Sequence, residues 1–175
     1  MKNIYKENDE VLYTKESIVN LTAQDLADIK KMAKLNSRQR IRICSHSSID
    51  DKIHEMIIYH SKGTYVPPHK HLAKCESFHL ISGEIDCVIF NNQGNIIKSF
   101  PMADYLSGKT FYYRIPEDTF HTQIFKKDTF FHEVAEGPFN REDTIIANWA
   151  PDEKETSKVK KYLTLISSNL ESSNP

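Results

Sequence analysis

Two histidines and a glutamate stand at metal-ligand spacing in the first half of this chain. One residue separates His69 from His71, and four residues separate His71 from Glu76. Pro67 and Pro68 favour extended backbone, in which alternate side chains point the same way. Both imidazoles should therefore project from one strand face, and a short loop can bring Glu76 to the same point. Imidazoles with a carboxylate suit zinc, iron, manganese, nickel or copper.

The glycines around this segment complete a longer pattern. Gly63 lies five residues before His69, and Gly83 lies six residues after Glu76. This spacing resembles the first motif of the cupin superfamily without a mismatch. The resemblance implies a small β-barrel with a metal ion held inside it.

A second segment is similar to the other cupin motif, whose histidine supplies the fourth ligand. Gly108 is followed by Pro116 and His121, with Asp118 where the family has a turn glycine and Phe125 where it has an asparagine. Aspartate tolerates the left-handed backbone conformation better than most residues do, so we expect the turn to survive.

The similarity extends to small bacterial cupin-fold metalloproteins called the WbuC family, over about residues 38 to 153. The genes of that family typically lie among those for surface-polysaccharide synthesis. The residues that carry the resemblance are Arg40, Arg42, His46, Glu55-Met56, Tyr65, Pro68 to His71, Lys74, Glu76 to His79, Tyr113-Arg114, His121-Thr122, Glu133, Gly137 to Phe139 and Trp149 to Pro151.

The metal site implied by the two motifs consists of His69, His71, Glu76 and His121. We expect one divalent transition metal ion there: zinc, iron, manganese or nickel. Four protein ligands leave one or two positions for water or substrate, as a catalytic site requires. Cupin isomerases, decarboxylases and dioxygenases share these ligands, so the type of reaction stays open at this point.

A strand pattern before the first motif places charge on one face. Arg40, Arg42 and His46 alternate with Ile41 and Ile43. Two guanidinium groups on one face can bind a carboxylate or phosphate, so both arginines are predicted to bind substrate and His46 is a catalytic candidate. The alternative is a solvated strand edge, where charge prevents aggregation.

Three further residues are candidates beside the motifs. Glu133 precedes a Gly-Pro turn on a predicted strand, where it could act as a general base or orient a ligand histidine. Arg114 could face either a ligand or a carboxylate such as Glu133. Tyr65 is a substrate-binding candidate whose other interpretation is closure of the barrel rim.

Hydrophobic periodicity predicts one helix and many strands. Thr22 is a plausible N-cap, with Asp25 at the third helical position, for an amphipathic helix over about residues 23 to 35. The predicted fold is mainly β: a cupin double-stranded β-helix (jelly-roll barrel) with an N-terminal amphipathic helix. Period-two runs predict strands at about 38–46, 53–60, 65–71, 76–82, 85–91, 95–101, 110–115, 120–126, 130–135 and 144–149.

The length of 175 residues fits one domain. We divide it into an N-terminal helical extension (1–37), the cupin barrel (38–153) and a C-terminal tail (154–175). Residues 162–166 could dock, and residues 167–175 are polar enough to fray. Because small cupins commonly pair through barrel strands and the apolar stripe of the helix needs a covering surface, we expect a homodimer.

Composition restricts the partners. A formal net charge of −1 provides no basic field for nucleic acid or an anionic membrane. No stretch is apolar enough for a signal peptide or a membrane span, and the three cysteines form no Cys-x-x-Cys pair, so we expect a cytoplasmic protein with reduced thiols. The sequence favours a metal-dependent enzyme acting on a small polar, anionic or sugar-like molecule. The alternative is a non-enzymatic, metal-dependent sugar-binding module.

Overall fold

The computed structural model describes residues 3–173, and within them it has twelve strands and two α-helices. The helices are α1 (Ala23–Ala33) and α2 (Thr156–Ser173). The strands are β1 (Ile4–Lys6), β2 (Val11–Thr14), β3 (Arg40–Cys44), β4 (Ile53–His60), β5 (His69–His71), β6 (Glu76–Ser82), β7 (Glu84–Phe90), β8 (Ile96–Ala103), β9 (Tyr112–Ile115), β10 (Phe120–Phe125), β11 (Thr129–Glu136) and β12 (Thr144–Ile146). The predicted mainly β architecture is confirmed.

The strands form two sheets, a seven-stranded sheet in the order β1-β2-β3-β4-β11-β6-β9 and a five-stranded sheet in the order β12-β5-β10-β7-β8. Pairing is antiparallel except between β2 and β3, which run parallel. The two inner faces meet in one apolar core, where Phe78 and Phe131 of the larger sheet pack with Cys87 and Phe125 of the smaller one. The metal-ligand candidates lie on these inner faces.

The N-terminal segment belongs to the larger sheet. Strands β1 and β2 form a hairpin, and β2 continues the sheet beside β3 with Val11 opposite Arg42. The sequence predicted only a helix before residue 38 and missed both strands, because three- and four-residue runs are too short to show a period. This hairpin forms one wall of the cavity described below.

Helix α1 is shorter than predicted, and its apolar face is covered within the chain. The capping box between Thr22 and Asp25 is present. Ile29 of the helix packs on Ile41 and Ile43, on the outer face of the larger sheet. Since this sheet already covers the apolar stripe, the stripe provides no argument for a dimer, and the homodimer stays a prediction.

Helix α2 replaces the tail that was expected to fray. It begins at Thr156, and its buried residues Ile166 and Leu170 pack with Phe90 on the outer face of the smaller sheet. The predicted tail ends at Asn174-Pro175, and these residues, like Met1 and Lys2 at the other terminus, lie outside the described residues. Within residues 3–173, neither helix is both long and apolar enough to cross a membrane.

Asp128 connects α1 to the turn between β10 and β11. Its carboxylate accepts a hydrogen bond of 3.0 Å from the Lys62 backbone N–H and pairs with Lys30 Nζ at 3.0 Å. The hydrogen bond, opposed by partial burial and supported by Lys30, lowers the pKa of Asp128 to about 2. The ionised carboxylate is therefore stabilised in the folded state.

Asp128→Asn should destabilise the protein by about 1 kcal/mol at pH 7, a value reduced for screening of the partly exposed ion pair. Because the folded pKa is depressed, this contribution is complete above pH ~4 and disappears as the pH falls through ~2. Thermal melts between pH 7 and pH 3 should show the difference from wild type shrinking. Asp50→Asn, at an exposed aspartate, is the control. A difference that does not depend on pH would contradict this account.

Candidate metal centre and its cavity

The three histidines of the predicted site project from the inner face of the smaller sheet. His69 and His71 alternate along β5, and His121 of β10 is the register partner of His69. The ring centroid of His69 lies 4.5 Å from that of His121 and 5.1 Å from that of His71. Alternation and one cross-strand pair thus bring three imidazoles together.

The carboxylate comes from the opposite sheet. Glu76 begins β6, and its Oε1 lies 2.7 Å from His121 Nε2 while its Oε2 lies 3.2 Å from His71 Nε2. One ligand atom from each of His69, His71, Glu76 and His121 lies within 4.8 Å of all the others. The four side chains therefore converge between the two sheets, with the histidines on one sheet and the glutamate on the other.

The outer nitrogens of the three rings already have partners. His69 Nδ1 lies 2.9 Å from the Pro67 carbonyl, and His121 Nδ1 lies 2.9 Å from the Thr119 carbonyl. His71 Nδ1 lies 3.1 Å from the hydroxyl of Thr144. Such partners fix ring orientation and leave each Nε2 free to face a metal.

His121 provides the test of whether the site fits a metal ion. Its Nε2 is buried and makes no hydrogen bond of acceptable geometry among the described residues, although Glu76 is close to it. An orphaned buried nitrogen is costly unless something else binds its lone pair. Together with the donor set, this nitrogen fits a divalent ion held by three imidazoles and one carboxylate.

The pKa values of the ligand side chains show which of them are in the protonation state that metal binding requires. Burial, with the neighbouring His121, lowers the pKa of His69 to about 3, so this ring is neutral as a ligand must be. Burial opposes ionisation of both Glu76 and His121, but their mutual contact prevails: the pKa of Glu76 is held well below its usual value and that of His121 is raised. Glu76 is therefore ionised, as a ligand carboxylate must be.

The turn of the second motif has the predicted conformation. Asp118 has a φ of 56°, in the left-handed region that the family's glycine would occupy. Its backbone N–H donates a hydrogen bond of 2.7 Å to the His71 carbonyl. The turn that carries His121 is thus attached to the strand that carries the first two ligands.

The ligands line a cavity of about 1230 Å³ that runs between the sheets and along the N-terminal hairpin. Of the six other residues predicted to act on a substrate, Arg40, Arg42, His46 and Glu133 also line it, whereas Arg114 and Tyr65 do not. The structure thus brings four of the predicted residues into the same space as the metal ligands.

Glu133 lies on the inner face of β11, between Met56 on β4 and Phe78 on β6. No hydrogen bond or ion pair within the described part of the chain involves its carboxyl group. Burial and the nearby Glu76 carboxylate raise the pKa of Glu133 to about 8. This side chain is therefore a carboxyl group able to hold or release a proton near neutral pH.

The two arginines of β3 differ in their partners. Arg40 Nε pairs with Glu10 at 2.9 Å, and Glu153 lies 3.8 Å from its NH1. Arg42 is exposed, and no ion pair within residues 3–173 involves it. The expectation that both guanidinium groups are available to an anion therefore holds better for Arg42 than for Arg40.

Arg114 and Tyr65 have structural partners outside the cavity. Arg114 is exposed on β9, and its NH2 contacts the Cys75 sulfur at 2.8 Å. Tyr65 is buried, donates a hydrogen bond of 2.9 Å to the Pro151 carbonyl and packs edge-on against Tyr162 of α2. Alternation on edge strand β9 turns Arg114 outward. The contacts of Tyr65 attach the segment before β5 to the C-terminal part of the chain.

Two contributors to the site have no local sequence signal. Thr144, on edge strand β12, reaches His71 from 73 positions away in the chain. Tyr13, in the missed hairpin, lines the cavity and contacts the His46 ring edge-on at 5.6 Å. Only the tertiary structure places these residues beside the predicted ones.

Thr144→Val should weaken metal binding about ten- to a hundredfold, because it removes the hydroxyl that orients His71. The shape of the side chain is kept, so the fold should be preserved. Competition with a chelator of known affinity measures the change, and Thr122→Val, a buried threonine on the other face of β10, is the control. Equal affinities for wild type and Thr144→Val would show that this contact does not support the ligand.

Comparison with known proteins supports the fold. A family model described as a domain of unknown function (DUF6016) matches residues 21–102, and no curated protein matches the sequence significantly. A salicylate 1,2-dioxygenase from Pseudoaminobacter salicylatoxidans, solved with gentisate, has a TM-score of 0.55 and 10% identity, covering 73% of this chain and 37% of its own. A protein from Shewanella oneidensis has a TM-score of 0.55 and 12% identity, covering 85% of this chain and 96% of its own.

The capsular polysaccharide assembling protein CapF from Staphylococcus aureus matches more weakly. It has a TM-score of 0.45 and 16% identity over 55% of this chain and 27% of its own. A second CapF structure is matched over 33% of its length, so this chain spans only about a third of the CapF and dioxygenase chains that it matches. At these identities the similarity concerns the fold alone, and the predicted mainly β, two-sheet fold is confirmed.

Proposed function

We propose that this protein is a metal-dependent enzyme acting on a small polar or anionic, sugar-related substrate. The observation that carries the proposal is Glu133, a carboxyl group without a hydrogen-bond or ion-pair partner among the described residues, in the same cavity as the four metal ligands. An acid-base group beside an open metal position is what proton-transfer chemistry needs. A site that only held strands together would not need it.

Each part of the site has a role in this proposal. His69, His71, Glu76 and His121 hold the ion, which when bound would polarise a carbonyl or hydroxyl oxygen of the substrate. Glu133 accepts a proton from the substrate at its carboxylate and returns it to a neighbouring atom. Burial and Glu76 raise its pKa to about 8 without the ion, and the positive charge of a bound ion would lower the pKa towards neutral pH, where both directions are accessible. Phe78 and Phe131 form an apolar wall beside it.

The substrate class follows from the cavity and from the family resemblance. Arg42 offers a cation that no ion pair among the described residues neutralises, although it interacts with the Cys44 thiol. The cavity is large enough for a sugar derivative. The similarity to WbuC-type proteins suggests a role in surface-polysaccharide metabolism, and the proposed location is the cytoplasm. The resident ion would be zinc, iron, manganese or nickel.

The second candidate function, a non-enzymatic sugar-binding module, would require different groups in the cavity. Such a module needs the metal and a recognition surface but no proton-transfer group near the ligand. Glu133 therefore favours the enzyme.

The test begins with elemental analysis of protein purified without a histidine tag. The metal-loaded protein is then incubated in D₂O with aldoses, ketoses, sugar phosphates and 2-oxo acids, and deuterium incorporation beside the carbonyl is followed by NMR. We expect incorporation for at least one sugar-related compound. Binding of these compounds without any exchange or conversion would support the binding module instead.

A further inference from the structure

A second polar patch lies in the cavity on β2 and β3, which are four and three positions from β6 in the larger sheet. It is formed by Tyr13 of β2, Arg42 of β3 and His46, which follows β3; all three line the cavity. The parallel pairing of β2 and β3 puts Tyr13 opposite Cys44, between Arg42 and His46 along the chain. Tyr13 and His46 are in edge-on contact. Three side chains that can donate hydrogen bonds thus belong to one wall.

Arg42 is the cation of this patch because its neighbours neutralise one another. Arg38 pairs with Glu10 at 3.3 Å and with Glu153 at 2.9 Å, and Arg40 pairs with the same two carboxylates. None of the ion pairs found in residues 3–173 includes Arg42. The N-terminal hairpin, through Glu10, therefore holds Arg40 in a structural role and leaves Arg42 available.

The charge of Arg42 reaches both the patch and Glu133. Burial raises the pKa of Tyr13, and Arg42 opposes that rise. Burial lowers the pKa of His46, and Arg42 adds to that effect. The pKa of Glu133 is raised by burial and by Glu76, and it is lowered by Lys74 and then by Arg42. Glu133 thus interacts with the metal centre, with Lys74 and with Arg42, whereas the charged side chains that act on His46 are Asp51 and Arg42.

We propose that Tyr13, Arg42 and His46 form an anion subsite, separate from the metal centre, that binds the terminal phosphate of a ligand whose other end lies at the metal. The inference rests on the proposed function and names its substrate class: an open-chain sugar derivative with a metal-chelating end and an anionic end. His46, a catalytic candidate by sequence, becomes a binding residue. In the larger sheet β3 lies three strand spacings from β6, which is about 14 Å. The side chains of Arg42 and Glu76 both line the cavity between these strands, so a ligand of four or more carbons can bridge the two ends.

The geometry also explains why the subsite would select one terminal anion. A guanidinium group forms charge-assisted hydrogen bonds to phosphate, and the Tyr13 hydroxyl can add a neutral one. Because Arg40 is paired with Glu10, Arg42 provides the guanidinium group that binds the terminal phosphate of the ligand, and Arg40 does not add a second one. The subsite should therefore contribute about ten- to a hundredfold in affinity through Arg42.

The test compares three probes by calorimetry on the zinc-loaded protein: erythronate, 4-phosphoerythronate and inorganic phosphate. Erythronate carries only the chelating 2-hydroxy acid, and 4-phosphoerythronate adds the terminal phosphate. We expect 4-phosphoerythronate to bind at least tenfold more tightly than erythronate in wild type. Arg42→Ala should reduce that ratio to about one, and Tyr13→Phe should reduce it a few-fold.

Arg40→Ala is the matched control, two residues away on the same strand face. Arg38 remains to pair with Glu10 and Glu153, so the affinity ratio should stay within about twofold of wild type. A ratio that Arg42→Ala leaves unchanged, or the absence of binding by both sugar acids to fully loaded protein, would overturn the subsite. Failure of the wild type to retain any of zinc, iron, manganese and nickel would instead refute the metal-dependent function, and the two failures are thereby distinguished.

Discussion

Replacing His71 with alanine should abolish stoichiometric metal binding. The substitution removes one of four ligands and leaves Glu76 Oε2 without the ring that lies 3.2 Å away. Losing a ligand should cost more than the ten- to hundredfold typical of losing a partner of a ligand. Elemental analysis of the purified variant measures the effect, with an expected content well below one ion per chain.

His79→Ala is the matched control for this experiment. His79 lies on β6, three residues from Glu76, and is exposed. Its removal should leave one ion per chain. Retention of one ion per chain by His71→Ala would refute the assignment of the ligands, and equal loss in both variants would indicate a general effect on folding.

Glu133→Gln should reduce turnover about 10²- to 10⁴-fold with metal content unchanged, because general acid-base groups contribute a factor of that size. Glutamine keeps the volume of the side chain and removes its ability to transfer a proton. The measurement is the rate of deuterium incorporation for the substrate found in the screen. Glu55→Gln, an exposed glutamate on neighbouring β4, is the control and should retain full activity.

A second measurement on Glu133→Gln requires no substrate. Burial and Glu76 raise the pKa of Glu133 from 4.5 to about 8 in the folded protein, so its stabilising contribution is complete below pH ~4 and is lost as the pH rises through ~8. The metal-free variant should therefore gain stability relative to wild type between these pH values. Equal pH profiles in thermal melts would show that Glu133 is not in the environment described here.

The sequence predicted those features that depend on residues a few positions apart in the chain. The spacing of His69 and His71 places both rings on one strand face, and Thr22 with Asp25 marks the start of α1. Asp118 adopts the left-handed conformation expected of a turn residue. These features follow from backbone geometry over a few residues, which is why local spacing was sufficient.

Pairing between distant strands decided which charged residues face the cavity. Alternation predicted a common face for Arg40 and Arg42 but not that Glu10, on a hairpin the sequence did not reveal, would neutralise Arg40. The same limit applies to Arg114, whose outward direction depends on the edge position of β9. Ion-pair partners of this kind depend on which strands become neighbours, and residue type alone does not determine that.

By itself the sequence determined the cupin jelly roll, the four candidate ligands and the alternation that aims them inward, because motif spacing and period are local properties. Only the tertiary structure decided that Thr144 orients His71, that Glu133 faces the ligands, and that α1 is covered by its own sheet. Each of these contacts joins segments far apart in the chain. Their geometry is fixed by sheet order and packing, which emerge only when the whole core is assembled.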